Sequence, residues 1–125
     1  MPLTGVSPVL LVSDLERSVA FYRDLLGFEC ELHGEPPDFL VAVRDAAVLL
    51  FASAPTDAKL VPNWHVVDKI WNAYVRLDDV DAFYAEVQSR GCPIDYSLYD
   101  APHGFREFGV TDPDGYDVAF GQPLG

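Results

Sequence analysis

The hydrophobic residues of this chain occur in short runs that are typical of strands. "VLLV" at residues 9–12, "FLVAV" at 39–43 and "AVLLFA" at 47–52 are apolar segments of four to six residues. Runs of this length, rich in β-branched and aromatic side chains, predict buried or half-buried strands. Only residues 44–46 separate the last two runs, and so short a connection predicts a β-hairpin. Before this hairpin, "GEPPD" at 34–38 predicts a loop, because consecutive prolines remove backbone donors.

A different periodicity follows the first strand. Apolar residues there recur at the spacing of one helical face, at Leu15, Val19, Tyr22 and Leu26. Ser13 or Asp14 is placed to cap this helix, and Gly27 is placed to end it. Together with "FECELH" at 28–33 and the hairpin, these elements predict a β-α-β-β-β module.

The same pattern occurs a second time along the chain. "VSDLERSVAFYRDLLGF" at 12–28 and "LDDVDAFYAEVQSRGC" at 77–92 share an acidic cap, an "AFY" helix and a closing glycine, separated by about half of the chain. The second copy predicts a strand at 70–77, a helix at 79–90, a turn near "CPIDY", a loop at "YDAPHG", a strand at 105–110, a turn at "DPDG" and a strand at 116–121.

This repeat predicts an α+β fold of two tandem βαβββ modules. We expect one domain over residues 1–125, with module 1 at about 5–55, module 2 at about 68–122 and a linker at 56–67. A chain of 125 residues buries roughly two thirds of its unfolded surface, so it needs no disulfide to fold. Cys30 and Cys92 are accordingly interpreted as reduced thiols of a cytoplasmic protein.

The net charge and the hydropathy of the chain indicate which kinds of partner it can bind. The net charge of −12 disfavours nucleic acid and favours cationic small molecules, although the same charge would equally serve to keep the protein dissolved. The N-terminal apolar run is far shorter than the roughly 20 residues of a membrane span, so no membrane partner is expected.

The three segments "VSDLERSVAFYRDLLGF", "RLDDVDAFYAEVQSRG" and "GFREFGVTDPDGYDVAF" resemble, in order and spacing, the vicinal oxygen chelate superfamily. This superfamily groups glyoxalase I, extradiol dioxygenases, fosfomycin-resistance enzymes and bleomycin-resistance proteins. The resemblance covers nearly the whole chain. It implies paired βαβββ modules whose sheets curl into a cup that holds the ligand.

Enzymes of this superfamily generally bind a divalent metal through His, Glu or Gln at four strand positions. Alignment on the strand and turn landmarks places other residues there, namely Ser7, Leu50, Asn72 and Ala119. These side chains lack the imidazole, carboxylate or thiolate donors of a transition-metal site. We therefore expect no metal and no other cofactor.

The absence of a metal site is a feature of the bleomycin-resistance branch, which sequesters a drug instead of transforming it. The opening "SPVLLVSDLERSVAFY" and the later "RLDDVDAFY" resemble that branch. The resemblance implies a homodimer with two clefts at its interface, in which the N-terminal strand crosses to the partner subunit at Pro8. A proline that only begins an edge strand would fit the sequence equally well.

Strand alternation then indicates which side chains line the cup. With the four former metal positions inward, their alternate neighbours also point inward, whereas Leu10, Val12, Val118 and Phe120 face the helices. Exposed aromatic side chains would add flat surfaces for a planar ligand. The predicted ligand-binding residues are Trp64, Trp71, Asn72, Tyr74, Arg76, Leu50, Phe39, Phe105 and Asp117.

Three functions fit these observations. The leading hypothesis is a metal-independent protein that sequesters a planar, cationic antibiotic or metabolite in a dimer-interface cleft, with no catalytic residue. The alternative is a lyase, isomerase or dioxygenase with a displaced metal or a His103 and Glu107 acid-base pair, whose side chains would share a strand face. A regulatory module whose cup is filled by its own side chains is the third.

Overall fold

The computed structural model describes all residues from 1 to 125 and divides the chain into two compact units. The first unit is Met1–Lys59 and the second is Leu60–Gly125. The boundary between them falls inside the segment 56–67, which the sequence analysis assigned to a linker. No helix in either unit combines the length and the apolar character needed to cross a membrane.

The first unit is a four-stranded mixed sheet with one helix. Its strand order is β1-β4-β3-β2, with β1 parallel to β4 and the other pairs antiparallel. The hairpin predicted from the short spacing joins β3 to β4 and is confirmed. The strands are β1 (Val9–Val12), β2 (Glu29–His33), β3 (Phe39–Arg44) and β4 (Ala47–Ser53).

The two faces of this first sheet differ in burial as the alternation predicted. Leu10, Val12 and Phe51 are almost fully buried, and this face packs against the helix. Val9 and Leu11, one residue out of phase, lie on the other face and are 57% and 50% exposed. The strand register was therefore correct for this unit.

The helix of the first unit begins regularly and then widens. Helix α1 (Leu15–Val19) is capped by Asp14, whose carboxylate accepts hydrogen bonds from the backbone N–H groups of residues 16 and 17. It continues as a π-helical segment, Ala20–Leu25, which the sequence analysis treated as ordinary α-helix. In this wider turn two adjacent rings, Phe21 and Tyr22, are both buried.

The second unit repeats the arrangement, with strand order β5-β8-β7-β6. Helix α2 (Val80–Ser89) is capped by Asp79 and packs Phe83 against Phe120 with ring centroids 4.8 Å apart. The strands are β5 (Ala73–Arg76), β6 (Ile94–Asp100), β7 (Phe105–Thr111) and β8 (Asp117–Pro123). The α+β fold class with two tandem βαβββ modules is confirmed.

Two strands of the second unit begin at different residues from those predicted. Strand β6 begins at Ile94, inside the segment for which "CPIDY" predicted a turn, because the alternating half-buried Ile94, Tyr96 and Leu98 outweigh the effect of Pro93. The pairing of β6 with β7 contains register shifts on either side of Tyr96. Strand β5 begins at Ala73 instead of residue 70, and the preceding Trp71 and Asn72 accept hydrogen bonds from Asn63.

Candidate functional site

A buried carboxylate lies at the centre of the candidate site. Glu107, on β7, is only 1% exposed, which is unusual for a glutamate and requires polar partners. Its Oε1 accepts a hydrogen bond from the Tyr74 hydroxyl at 3.0 Å, and its Oε2 accepts one from the Tyr96 hydroxyl at 2.5 Å. The third partner is His103 Nε2, 2.6 Å from Oε1, which donates because a carboxylate only accepts.

Two glycines make room for the tyrosine rings. The strand register pairs Tyr96 with Gly109 across β6 and β7, and pairs Gly121 with Glu107 across β7 and β8. A Cβ atom at Gly109 would overlap the ring of Tyr96, and one at Gly121 would overlap the phenol end of Tyr74. Both phenols therefore lie directly on the strand backbone, and this position brings their hydroxyl groups to Glu107.

The tyrosines are strongly held in their protonated form. Burial, followed by the hydrogen bond to Glu107 and the nearby negative charge, raises the pKa of Tyr74 well above its ordinary value. Burial first, and then the hydrogen bond to Glu107, also raise the pKa of Tyr96. At neutral pH both hydroxyls are therefore available as hydrogen-bond donors to the carboxylate.

Aromatic rings surround this carboxylate. Trp71 donates its indole N–H to the Tyr96 hydroxyl at 2.9 Å and lies edge-on to Tyr74, with centroids 4.8 Å apart. His103 contacts Phe105 edge-on at 5.2 Å. We call these four side chains the aromatic cluster: Trp71, Tyr74, His103 and Phe105. The cluster is half-buried and covers a charged group, an arrangement suited to binding a flat molecule that carries a polar group.

Three of the predicted ligand-binding residues belong to this cluster. Trp71, Tyr74 and Phe105 were selected from strand alternation and aromatic content alone, and the fold of the second unit brings them together. The cluster also contains His103, which the sequence analysis considered only as half of an acid-base pair with Glu107. Those two residues are indeed in direct contact.

Two other predicted residues have partners that fix the local backbone. Asn72 uses its side-chain oxygen to accept the backbone N–H of Asn63 at 2.9 Å. Trp64, in a 3₁₀ turn, donates its indole N–H to the carbonyl of Gly115 at 2.6 Å and leaves 41% of its surface exposed. These contacts join the turn at residues 63–65 to the segment before β5 and to the β7–β8 turn.

Asp117 and Arg76 lie on the same face of the second sheet as the cluster but differ in environment. Arg76 is exposed at the end of β5. Asp117 is 5% exposed and accepts a hydrogen bond from the Thr111 hydroxyl at 2.9 Å. Burial, and then a hydrogen bond with Asp95, raises the pKa of Asp117 from 3.8 to about 6.

The remaining predicted residues are in the first unit. Leu50 and Phe39 are half-buried on β4 and β3, and the register pairs Phe39 with Ala52, two residues from Leu50. On β1, Val9 pairs with Leu50 and Leu11 pairs with Ala52. Because paired residues lie on the same face of a sheet, the side chains of Leu50 and Phe39 share a face with Val9 and Leu11.

A model of the Glyoxalase/Bleomycin resistance protein/Dioxygenase superfamily matches residues 6–120. The chain belongs to this superfamily. The resemblance inferred from the repeated segments is thereby confirmed.

Several solved structures resemble the chain over nearly its full length. One is a bleomycin-binding protein from Streptomyces verticillus in complex with copper(II)-bleomycin, 28% identical, TM-score 0.73, covering 100% of this chain and 98% of that one. TnmS3, an antibiotic-binding protein from Streptomyces sp. CB03234, is 25% identical, with TM-score 0.71 and 98% coverage of both chains. A lactoylglutathione lyase from Agrobacterium tumefaciens, 22% identical with TM-score 0.70 and coverage of 98% and 96%, shares the fold.

Many enzymes of this superfamily hold a divalent metal, and the sequence analysis aligned the four ligand positions with other residues of this chain. In the second unit the positions are Asn72, whose side-chain oxygen accepts the Asn63 N–H, and Ala119, which has no donor atom. In the first unit they are Ser7 and Leu50. No group of three or more His, Cys, Asp or Glu side chains in the chain is arranged to hold a metal ion.

The sequence analysis missed Tyr96, the residue with the shortest hydrogen bond to Glu107. Its segment was interpreted as a turn because Pro93 precedes it. The signal that would have located it is the alternation of apolar residues from Ile94 to Leu98, together with Gly109 on the following strand. A glycine opposite an aromatic residue marks a place where a ring lies on the backbone.

Proposed function

We propose that this superfamily member is a metal-independent binding protein for a planar antibiotic or metabolite. The observation that carries this proposal is the aromatic cluster above Glu107, which offers ring faces and a polar anchor in one half-buried surface. Stacking on such rings contributes on the order of 0.5–1.5 kcal/mol per pair beyond area burial. The 28% identity to a bleomycin-binding protein over the whole chain supports the same class of ligand.

Metal independence is part of this proposal. It rests on the chemistry of the four positions where related enzymes carry ligands, none of which offers imidazole, carboxylate or thiolate here. Sequestration requires only affinity, so no residue is assigned a catalytic role. The net charge of −12 would favour a cationic ligand by attraction at long range.

We further propose that the protein is a cytoplasmic homodimer. Strand β1 is an edge strand that pairs only with β4, and its Val9 and Leu11 are half exposed. Apolar side chains on an edge strand favour association with a second copy. Light scattering on the purified protein should give twice the mass of the chain, and Val9→Lys, which places a charge on this face, should shift the protein toward the monomer. A monomeric wild-type protein would contradict this part of the proposal.

Tryptophan fluorescence tests the ligand site, because the chain has only two tryptophans. Trp64→Phe leaves Trp71 as the sole reporter, and Trp71→Phe leaves Trp64. Copper(II)-bleomycin is a suitable first probe, in view of the similarity to the protein that binds it. We expect it to quench Trp71 more strongly than Trp64. We also expect Trp71→Ala to weaken binding about tenfold, as measured by calorimetry, since 1.4 kcal/mol corresponds to a factor of ten.

The variants Trp64→Ala and Trp71→Ala should both remain folded, which circular dichroism will report. Undiminished affinity in Trp71→Ala, with the protein folded, would exclude the cluster as the binding surface. Binding that fails only in Trp64→Ala would move the site to the 3₁₀ turn at residues 63–65.

One observation favours an enzymatic alternative. His103 and Glu107 form a contact of 2.6 Å, in which the carboxylate orients the imidazole as in many acid-base pairs. If the protein were a lyase or dioxygenase, the purified chain would turn over a glutathione hemithioacetal or a catechol, and His103→Gln would abolish that turnover. An absence of turnover with both substrates would leave only the binding proposal.

A further inference from the structure

His103 differs from the other two partners of Glu107 in how it is held. Tyr74 and Tyr96 stand on strands β5 and β6, and their rings rest on glycine backbone. His103 lies in the short connection between β6 and β7, where Gly104 N–H bonds to the carbonyl of Ala101. Its side chain is 44% exposed, whereas that of Glu107 is 1% exposed. The imidazole therefore covers the carboxylate from the solvent side, and rotation about its own side-chain bonds can remove it.

The imidazole occupies a space bounded by three rings. Its centroid is 6.1 Å from Trp71, 6.1 Å from Tyr74 and 5.2 Å from Phe105, and all three contacts are edge-on. In each edge-on pair one ring presents its face to the other, and a cation is attracted where it meets the face of an aromatic ring. Glu107 Oε1 lies at one side of the same space, so a group placed there meets both rings and a carboxylate.

Any molecule that displaces the imidazole must replace its hydrogen bond. A buried carboxylate that loses a hydrogen-bond donor is destabilised, and a neutral apolar ring cannot replace that hydrogen bond. A planar group with N–H donors and a positive charge satisfies both the oxygen and the surrounding rings. Amidinium and guanidinium groups have this chemistry, because they donate in a planar fork to carboxylates and stack on aromatic faces.

We propose that His103 is an internal surrogate for the ligand, and that a planar cationic N–H group of the amidinium or guanidinium class binds Glu107 in its place, between Trp71, Tyr74 and Phe105. This inference rests on the proposed function, since it names the chemical group that the binding site selects. Binding is then an exchange of donors on Glu107 Oε1, with His103 moving toward solvent.

Benzamidine and benzamide provide a matched pair of probes, because the two are nearly the same size and shape but only benzamidine is cationic. Titration calorimetry on the full chain should give at least about tenfold tighter binding of benzamidine, the factor that 1.4 kcal/mol represents. His103→Ala removes the competing donor and should tighten benzamidine binding severalfold. Glu107→Gln should abolish the preference for benzamidine over benzamide.

A second Glu–His pair in the chain serves as the control. Glu31 and His33 are 3.0 Å apart on β2, and their side chains are 75% and 49% exposed. Glu31→Gln and His33→Ala make the same chemical changes at a pair that is not enclosed by rings, and neither should alter benzamidine binding. Because Glu107→Gln changes a buried group, its fold is checked by circular dichroism, and His103→Ala provides a test that does not depend on it.

The outcomes separate this inference from the proposed function when copper(II)-bleomycin is titrated alongside. Equal binding of benzamidine and benzamide in both wild type and His103→Ala overturns the inference, and retained bleomycin binding in that case leaves the proposed function standing. Weaker benzamidine binding in His103→Ala also overturns it, because His103 would then be part of the binding surface. Preference for benzamidine that is enhanced in His103→Ala and lost in Glu107→Gln supports it.

Discussion

The hydroxyl of Tyr96 lies 2.5 Å from Oε2 of Glu107, and the same oxygen of Tyr96 accepts the indole N–H of Trp71 at 2.9 Å. One phenol on β6 therefore connects a ring of the aromatic cluster to the carboxylate on β7. The stability and the titration behaviour of the site depend on this connection.

Removal of the Tyr96 hydroxyl should destabilise the protein. Tyr96→Phe leaves one carboxylate oxygen without its donor and Trp71 without its acceptor, and the loss of a hydrogen bond to a charged group costs about 1.5–3 kcal/mol. Urea denaturation measures the free energy of unfolding. Tyr99→Phe is the matched control, because Tyr99 is 48% exposed and its hydroxyl should contribute less than about 0.5 kcal/mol. Equal stability of the two variants would contradict the assigned role of Tyr96.

Alkaline titration should show the raised pKa values of Tyr74 and Tyr96. Both have pKa values raised in the folded state, first by burial. Below about pH 10, the ordinary tyrosine pKa, folded and unfolded chains are both protonated and the stabilisation is complete. Above it the unfolded chain loses protons that the folded chain retains, so stability falls as pH rises.

Ultraviolet absorbance of phenolate measures this titration. We expect Tyr74 and Tyr96 to ionise only when the protein unfolds, so Tyr74→Phe and Tyr96→Phe should each remove one tyrosine from the group that ionises on unfolding. A wild-type titration in which all six tyrosines ionise together, before unfolding, would be incompatible with the network around Glu107.

Gly109 should not tolerate a side chain. A methyl group there overlaps the ring of Tyr96, so Gly109→Ala must displace Tyr96 from Glu107, at a cost of about 1–3 kcal/mol for an overpacked site. The cost should largely disappear when Tyr96→Ala is also present, because the overlapping ring is gone. A double-mutant cycle of unfolding free energies measures this coupling, and simple additivity of the two changes would exclude a direct contact.

Asp117→Asn should stabilise the protein at neutral pH. Burial raises the pKa of Asp117 to about 6, so its contribution to stability is complete below pH 3.8 and is lost as pH rises to about 6. Asparagine mimics the protonated acid, and its side chain can still accept the Thr111 hydroxyl. The variant should therefore melt several degrees above wild type at pH 7, and the difference should shrink toward pH 3.8. Asp57→Asn, at an exposed position, is the control and should show no such pH dependence.

Local patterns in the sequence determined the repeated βαβββ order, the caps Asp14 and Asp79, and the faces of the strands. These features depend on neighbours a few residues apart, and periodicity and capping chemistry report such neighbours directly. Alternation also placed Tyr74 inward, because residues on one strand face share an environment whatever the partner strand is. Trp71 and Phe105 were selected for their aromatic rings.

Only the tertiary structure decided how these residues act together. The register of β6 with β7 places Tyr96 opposite Gly109, and the connection between these strands brings His103 onto Glu107. Trp64 and Asn72 were also predicted to bind the ligand, yet in the folded chain they form hydrogen bonds with Gly115 and Asn63. Hydrogen bonds between residues on different strands depend on pairing register and side-chain direction, which a single sequence does not encode locally. For that reason the strand faces were predictable and the carboxylate network was not.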